Sequence, residues 1–124
     1  MSRKVLIADD EPSIVTSLEF LMQRRGYEVR VARDGDEAMR LVGSFQPHVV
    51  LLDVMMPRRS GVEVCREIRG NPAWRGIKVV MISAKGREAD VDRGVAAGAD
   101  AYVTKPFSTK ALVATVDELM AGVA

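Results

Sequence analysis

The chain has 124 residues, 48% hydrophobic and 28% charged, with 18 basic against 17 acidic side chains for a formal net charge of +1. Its length corresponds to one domain, expected over residues 1–124, able to bury a core without a metal or disulfide staple. The composition excludes intrinsic disorder, collagen-like sequence and a disulfide-rich secreted scaffold, and the near-neutral charge argues against a basic nucleic-acid module.

Residues 5–8 form the first of five short apolar runs and read as a strand. The run stops at Asp9, too short for the apolar region of a signal peptide; no run approaches the ~20 residues of a membrane span. Asp10-Glu11-Pro12 is a helix start. Ile14, Leu18, Leu21, Met22 and Arg25 follow at helical spacing, and Gly26 is the stop. The apolar stripe spans about 100° and Phe20 lies about 140° from its centre, so Phe20 is expected to face solvent with Val15 flanking it. Residues 27–32 alternate, with Tyr27, Val29 and Val31 on one side and Glu28 and Arg30 on the other, the mark of an edge strand.

Asp34-Gly35-Asp36 opens a second helix carrying Ala38, Leu41 and Val42. Residues 48–52 are almost continuously apolar and run into Asp53, as expected of a strand buried on both faces. Ser60 opens a third helix with Val62, Val64, Cys65 and Ile68 inward, closed by Gly70-Asn71-Pro72. Cys65 is expected to serve helix packing, and a lone cysteine fits a reducing cytoplasm. The fourth strand, residues 77–82, leads to a helix over about 86–97 with Val91, Val95 and Ala96 inward. The fifth strand, 101–103, precedes a last helix N-capped by Ser108, running to about residue 120 with Leu112, Val116 and Leu119 inward.

Strands alternating with helices predict an α/β fold with a parallel sheet covered on both faces. An edge second strand fits the doubly wound, flavodoxin-like order 2-1-3-4-5. Such sheets bind ligands beyond the C-terminal strand ends, here where Asp9-Asp10, Asp53, Ser83 and Lys105 fall. Three carboxylates this close repel each other; a hard divalent cation and the Lys105 ammonium would offset that repulsion. Oxygen-only donors suit Mg²⁺, and one cysteine with one histidine leaves no zinc spacing. An Asp beside Mg²⁺, a lysine and a hydroxyl is equipment for accepting a phosphoryl group as an acyl phosphate. His48 belongs at the opposite end of its strand, as a structural residue.

Four segments then resemble a known family in combination: Val5-Leu6-Ile7-Ala8-Asp9-Asp10-Glu11-Pro12, Val50-Leu51-Leu52-Asp53-Val54-Met55-Met56-Pro57, Met81-Ile82-Ser83-Ala84, and Gly98-Ala99-Asp100-Ala101-Tyr102-Val103-Thr104-Lys105-Pro106-Phe107. The chain resembles the response regulator receiver domain of two-component signalling, from about Arg3 to Met120. The resemblance implies that Asp53 is the phosphoacceptor. Asp10 would be a direct Mg²⁺ ligand, Asp9 would bind it mainly through water, and Met55 would add its backbone carbonyl; Mn²⁺ would be able to substitute. Ser83 matches the switch hydroxyl, Lys105 the lysine that contacts the phosphoryl group, and Tyr102 the aromatic switch, expected to turn inward on phosphorylation. A cis bond is implied between Lys105 and Pro106.

The implied donor is a sensor histidine kinase or phosphotransfer protein, docking on the first helix near Phe20. The implied output surface is the fourth helix, fifth strand and last helix, acting on a separate partner or a fused effector domain. A phosphorylation-dependent dimer is an arrangement the resemblance allows. It implies a cytoplasmic signalling domain rather than an enzyme, without direct nucleic-acid or membrane binding. Arg58-Arg59 departs from the family pattern, which usually carries Gly or Asp and then a medium apolar residue, and it places two positive charges near the site. His48 stands where an acid is common and Lys78 where Pro is frequent. A dehalogenase-type Asp phosphatase would need a second Asp where Met55 stands. A flavin module would need a hydroxyl- and Gly-rich loop in place of Asp-Asp-Glu-Pro, and an unphosphorylated receiver-like scaffold would not require all five site residues.

Overall fold

The computed structural model describes residues 3–84 and 88–123, with residues 88–91 as backbone only. Five strands alternate with five helices: β1 (Lys4–Ala8), α1 (Pro12–Arg24), β2 (Glu28–Ala32), α2 (Gly35–Phe45), β3 (Val49–Asp53), α3 (Gly61–Gly70), β4 (Lys78–Ala84), α4 (Glu88–Ala97), β5 (Ala101–Lys105) and α5 (Thr109–Ala121). All strand pairs are parallel, in the order β2-β1-β3-β4-β5. Central β3 is buried throughout, whereas edge strand β2 exposes Arg30. Strands β4 and β5 run past their apolar cores into the polar motifs, because Ser83 pairs with Thr104 and Ala84 with Lys105 in the same ladder. No helix among the described residues is long and apolar enough to cross a membrane.

Successive strand residues point to opposite faces, which divides the core in two. Leu6, Val50, Leu52 and Met81 pack with Ala38, Val42, Cys65, Ile68 and Ala97 beneath α2, α3 and α4. Val5, Ile7, Leu51 and Ile82 pack with Leu18, Met22, Leu112 and Val116 beneath α1 and α5. Cys65 is buried and its thiol donates to the Ala97 carbonyl (3.4 Å), joining α3 to α4. Asp34, Ser60 and Ser108 accept from backbone amides in the first turns of α2, α3 and α5, each satisfying a donor that the helix leaves open. A single 3-10 turn, Pro72–Trp74, follows α3 and is held by the Asn71 side chain on the Ala73 amide (2.9 Å); no expectation covered it.

Two helix faces depart from the sequence reading. Val15 is 4% exposed and belongs to the buried face of α1 with Leu18 and Met22, so it does not flank Phe20. At about 100° per residue the two lie about 140° apart. Ile14 and Leu21 sit half-buried along one margin of α1, and counting them as central displaced the expected axis. In α4, Val95 is 66% exposed and Ala96 is also exposed; the inward positions are Gly94 and Ala97. The helix lies so close that a Cβ on Gly94 would stand 2.8 Å from Tyr102 Cε2. Among the described side chains of α4, small residues therefore mark the inner face; the Val91 side chain lies outside the described residues.

At the N-terminal end of the sheet, opposite Asp53, the Lys4 amide donates to His48 Nδ1 (2.9 Å), which requires that nitrogen unprotonated. Burial first, and then the charges of Arg3 and Lys4, lower the His48 pKa. A folded-state pKa below the unfolded value means stability that is present above about pH 6.5 and lost as pH falls through the folded value. Chemical denaturation between pH 7 and pH 5 should therefore show a smaller acid loss for His48→Asn, whose amide oxygen retains the acceptor. An unchanged pH slope would exclude His48 as its source.

Candidate functional site

Strands β1 and β3 are neighbours with helices leaving on opposite faces, and their C-terminal ends hold the acids. Asp9 follows β1, its amide on the Ala32 carbonyl (3.1 Å), and Asp53 closes β3 opposite Ile82 of β4. Carboxylate oxygens of Asp9, Asp10 and Asp53 all lie within 4.8 Å of one another. Asp9 and Asp53 are buried and Asp10 is exposed. From the end of β5, Lys105 reaches across β4 to stand 3.4 Å from both Asp9 Oδ2 and Asp53 Oδ2, next to a cis Lys105–Pro106 bond.

Asp9 Oδ1 accepts from the Glu11 amide (2.9 Å), which sets the entry to α1, a helix without a side-chain cap. Asp9 Oδ2 is buried and accepts no hydrogen bond; its neighbour is the Lys105 ammonium. Asp53 Oδ1 accepts from the Met55 amide (3.1 Å). Burial, and then the Asp9 charge, push the Asp53 pKa up to about 6, against the opposing effects of the Met55 amide and Lys105. Burial alone would lower the Lys105 pKa, but the charges of Asp53, Asp9 and Glu11 outweigh it and raise the value. The arrangement is an acid cluster that a lysine only partly neutralises.

The family model for the response regulator receiver domain matches residues 5–117. The chain belongs to this family. Among solved structures, the signal receiver domain of a signal transduction histidine kinase from Syntrophus aciditrophicus is 32% identical with a TM-score of 0.92, over 98% of this chain and 92% of that one. The receiver domain of the Francisella response regulator 1452 is 31% identical, TM-score 0.86, over 95% and 96%. The receiver domain of sensor histidine kinase PA1611 from Pseudomonas aeruginosa PAO1 is 25% identical, TM-score 0.89, over 98% and 99%; it has a magnesium ion coordinated in its active site cleft. Membership carries the receiver family's general function, phosphoryl acceptance in two-component signalling.

In this receiver domain the geometry gathers Asp9, Asp10, Asp53 and Lys105 as expected, and adds Glu11, whose carboxylate lies 3.7 Å from Lys105. Glu11 was legible only as a third consecutive acid, because its partner is remote in sequence. Ser83 is buried beside the cluster, with its hydroxyl turned onto the Ala84 carbonyl (3.4 Å). The Tyr102 ring packs against Gly94 of α4, with its hydroxyl buried. Arg58 and Arg59 do not stand as uncompensated charges: Arg58 pairs with Asp34 (3.5 Å), and Arg59 with Asp36 (2.8 Å) and Glu67 (2.6 Å).

Proposed function

We propose that this receiver domain, a single unit over residues 1–124, takes a phosphoryl group from a histidine kinase phosphohistidine onto Asp53 in a Mg²⁺-dependent reaction. The Asp53 carboxylate forms the new P–O bond as the P–N bond to the donor imidazole breaks, and the imidazole leaves as the electron pair's acceptor. The observation that carries this reading is the gathering of three carboxylates within 4.8 Å, in which buried Asp9 Oδ2 accepts no hydrogen bond and has the Lys105 ammonium 3.4 Å away. An oxygen-only cluster whose negative charge a single lysine only partly offsets fits Mg²⁺, with Mn²⁺ suited to the same donors. Asp9, Asp10, Asp53 and the Met55 carbonyl would hold the ion. When bound, it supplies positive charge that screens the carboxylates and the phosphoryl oxygens.

Lys105 neutralises charge on the acceptor side, and the Ser83 hydroxyl turns from Ala84 to the phosphoryl group. Movement of Ser83 would let Tyr102 settle into the space it vacates, and the output change would reach the surface of α4, β5 and α5, which would control a partner or an attached effector. The domain is a phosphoacceptor in the cytoplasm rather than an enzyme acting on a separate substrate. Incubation with a small acyl phosphate and Mg²⁺ should give one base-labile phosphoryl adduct on Asp53 by mass spectrometry. An adduct elsewhere, or none, defeats the reading.

The donor is proposed to dock on α1. Phe20 is 49% exposed on the face away from the core, with the Arg24 guanidinium 5.5 Å from its ring. An aromatic with a cation over it offers apolar area and charge together. Phe20→Ala should slow transfer from the cognate kinase several-fold, with transfer from a small acyl phosphate almost unchanged. Equal loss with both donors would make Phe20 structural, and no loss with either would make it idle.

A further inference from the structure

Between β3 and α3 the chain must make a tight irregular connection that keeps Met55 over Asp53. The Met55 amide donates to Asp53 Oδ1 (3.1 Å), and the Arg59 amide donates to the Pro57 carbonyl (2.9 Å). Arg58 sits at φ 71°, in the left-handed region that costs a side-chain-bearing residue roughly 1 kcal/mol or more unless its surroundings hold it there. Those surroundings are the start of α2. The Gly35 amide donates to the Pro57 carbonyl (3.2 Å), and the backbones approach so closely that a Cβ on Gly35 would lie 2.2 Å from the Arg59 oxygen.

Charge closes the same seam. The Arg59 Nε lies 2.8 Å from Asp36 Oδ1 in α2, and its Nη1 donates to Glu67 Oε2 in α3 (2.6 Å). One guanidinium thus ties the connection to two helices at once. An exposed ion pair alone contributes about 0–1 kcal/mol, but a planar fork engaged on both sides restricts geometry more than either pair does.

We propose that Arg59 is a positioning residue for the phosphoryl-acceptor site. Clamped by Asp36 and Glu67, it holds the connection so that the Met55 amide and carbonyl stay aligned on Asp53. The inference rests on the acceptor reading proposed above. Its first readouts need neither phosphoryl donor nor activity: amide hydrogen exchange of the metal-free protein, and Mg²⁺ titration by calorimetry. Arg59→Ala and Asp36→Ala should each speed exchange at Gly35 and Met55 by about tenfold, the signature of local opening. Exchange in β1 and β3 should stay unchanged, and Mg²⁺ affinity should fall several-fold. Arg59→Asp should do the same, and adding both Asp36→Arg and Glu67→Arg to it should restore both readouts, because both arms of the clamp can then re-form with reversed charge. Unchanged exchange at Met55, no rescue by the triple reversal, or equal acceleration throughout the core would each overturn the positioning role. Phosphoryl labelling of the native protein separates the two claims. Absence of label on Asp53 defeats the acceptor reading and the proposal with it, whereas labelling with unaltered Met55 exchange in the variants defeats the proposal alone.

Discussion

Asp53→Asn is expected to abolish phosphoryl uptake from phosphohistidine and small acyl phosphates alike, while making the metal-free protein more stable. The first effect follows from chemistry: an amide oxygen is a poor nucleophile where a carboxylate is a competent one. Chelation of Mg²⁺ should abolish uptake by the native protein as well. The second effect follows from the Asp53 environment. Burial, and then the Asp9 charge, push its pKa to about 6, so the folded state holds this proton more tightly than the unfolded chain does. The corresponding stability is fully present below about pH 4 and is lost as pH rises through about 6. At neutral pH ionised Asp53 therefore costs the metal-free fold on the order of 3 kcal/mol, with the opposing attraction of Lys105 already contained in the shifted pKa. A gain of several degrees in unfolding midpoint at pH 7, vanishing near pH 4, is the expected result. Stoichiometric labelling of the variant, or a lower midpoint at pH 7, would be incompatible with these assignments.

Gly61→Ala should damage fold and site together. A Cβ on Gly61 would lie 2.1 Å from the Asp53 carbonyl oxygen and 3.0 Å from Val54 Cα. Both are backbone atoms, and the Gly61 amide already donates to the Val54 carbonyl (2.9 Å). No side-chain rotation relieves this contact, so either α3 must withdraw or the end of β3 must shift. A loss of roughly 3 kcal/mol or more is expected, at the upper end for overpacking. Displacing Asp53 by even an ångström would cost about 100-fold in transfer rate. Gly70→Ala is the matched control: a Cβ there meets nothing within 4 Å, and its effect should stay within about 1 kcal/mol, possible in either sign from helix propensity and caps. Equal denaturation midpoints for the two variants would remove Gly61 from this role.

What the amino-acid sequence determined by itself was the framework and the meeting of its acids. Apolar runs that end in Asp9, Asp53 and Ser83 are readable because a parallel sheet has one carboxyl edge, so residues far apart in the chain arrive there by topology alone. Asp34, Ser60 and Ser108 are equally local, since a cap needs only an amide three residues on. The rotation of a helix is a different kind of fact. Periodicity finds the stripe of α1, but the side chains beneath it decide that Val15 rather than Ile14 is buried. In α4 the search for large apolar residues selects Val95, whereas close approach to Tyr102 puts Gly94 inside. Long charged side chains are the least legible. Lys105 finds Glu11, and Arg59 finds Asp36 and Glu67, only once three elements are in place. A flexible ion pair carries no spacing in sequence, so tertiary structure alone decided these partners.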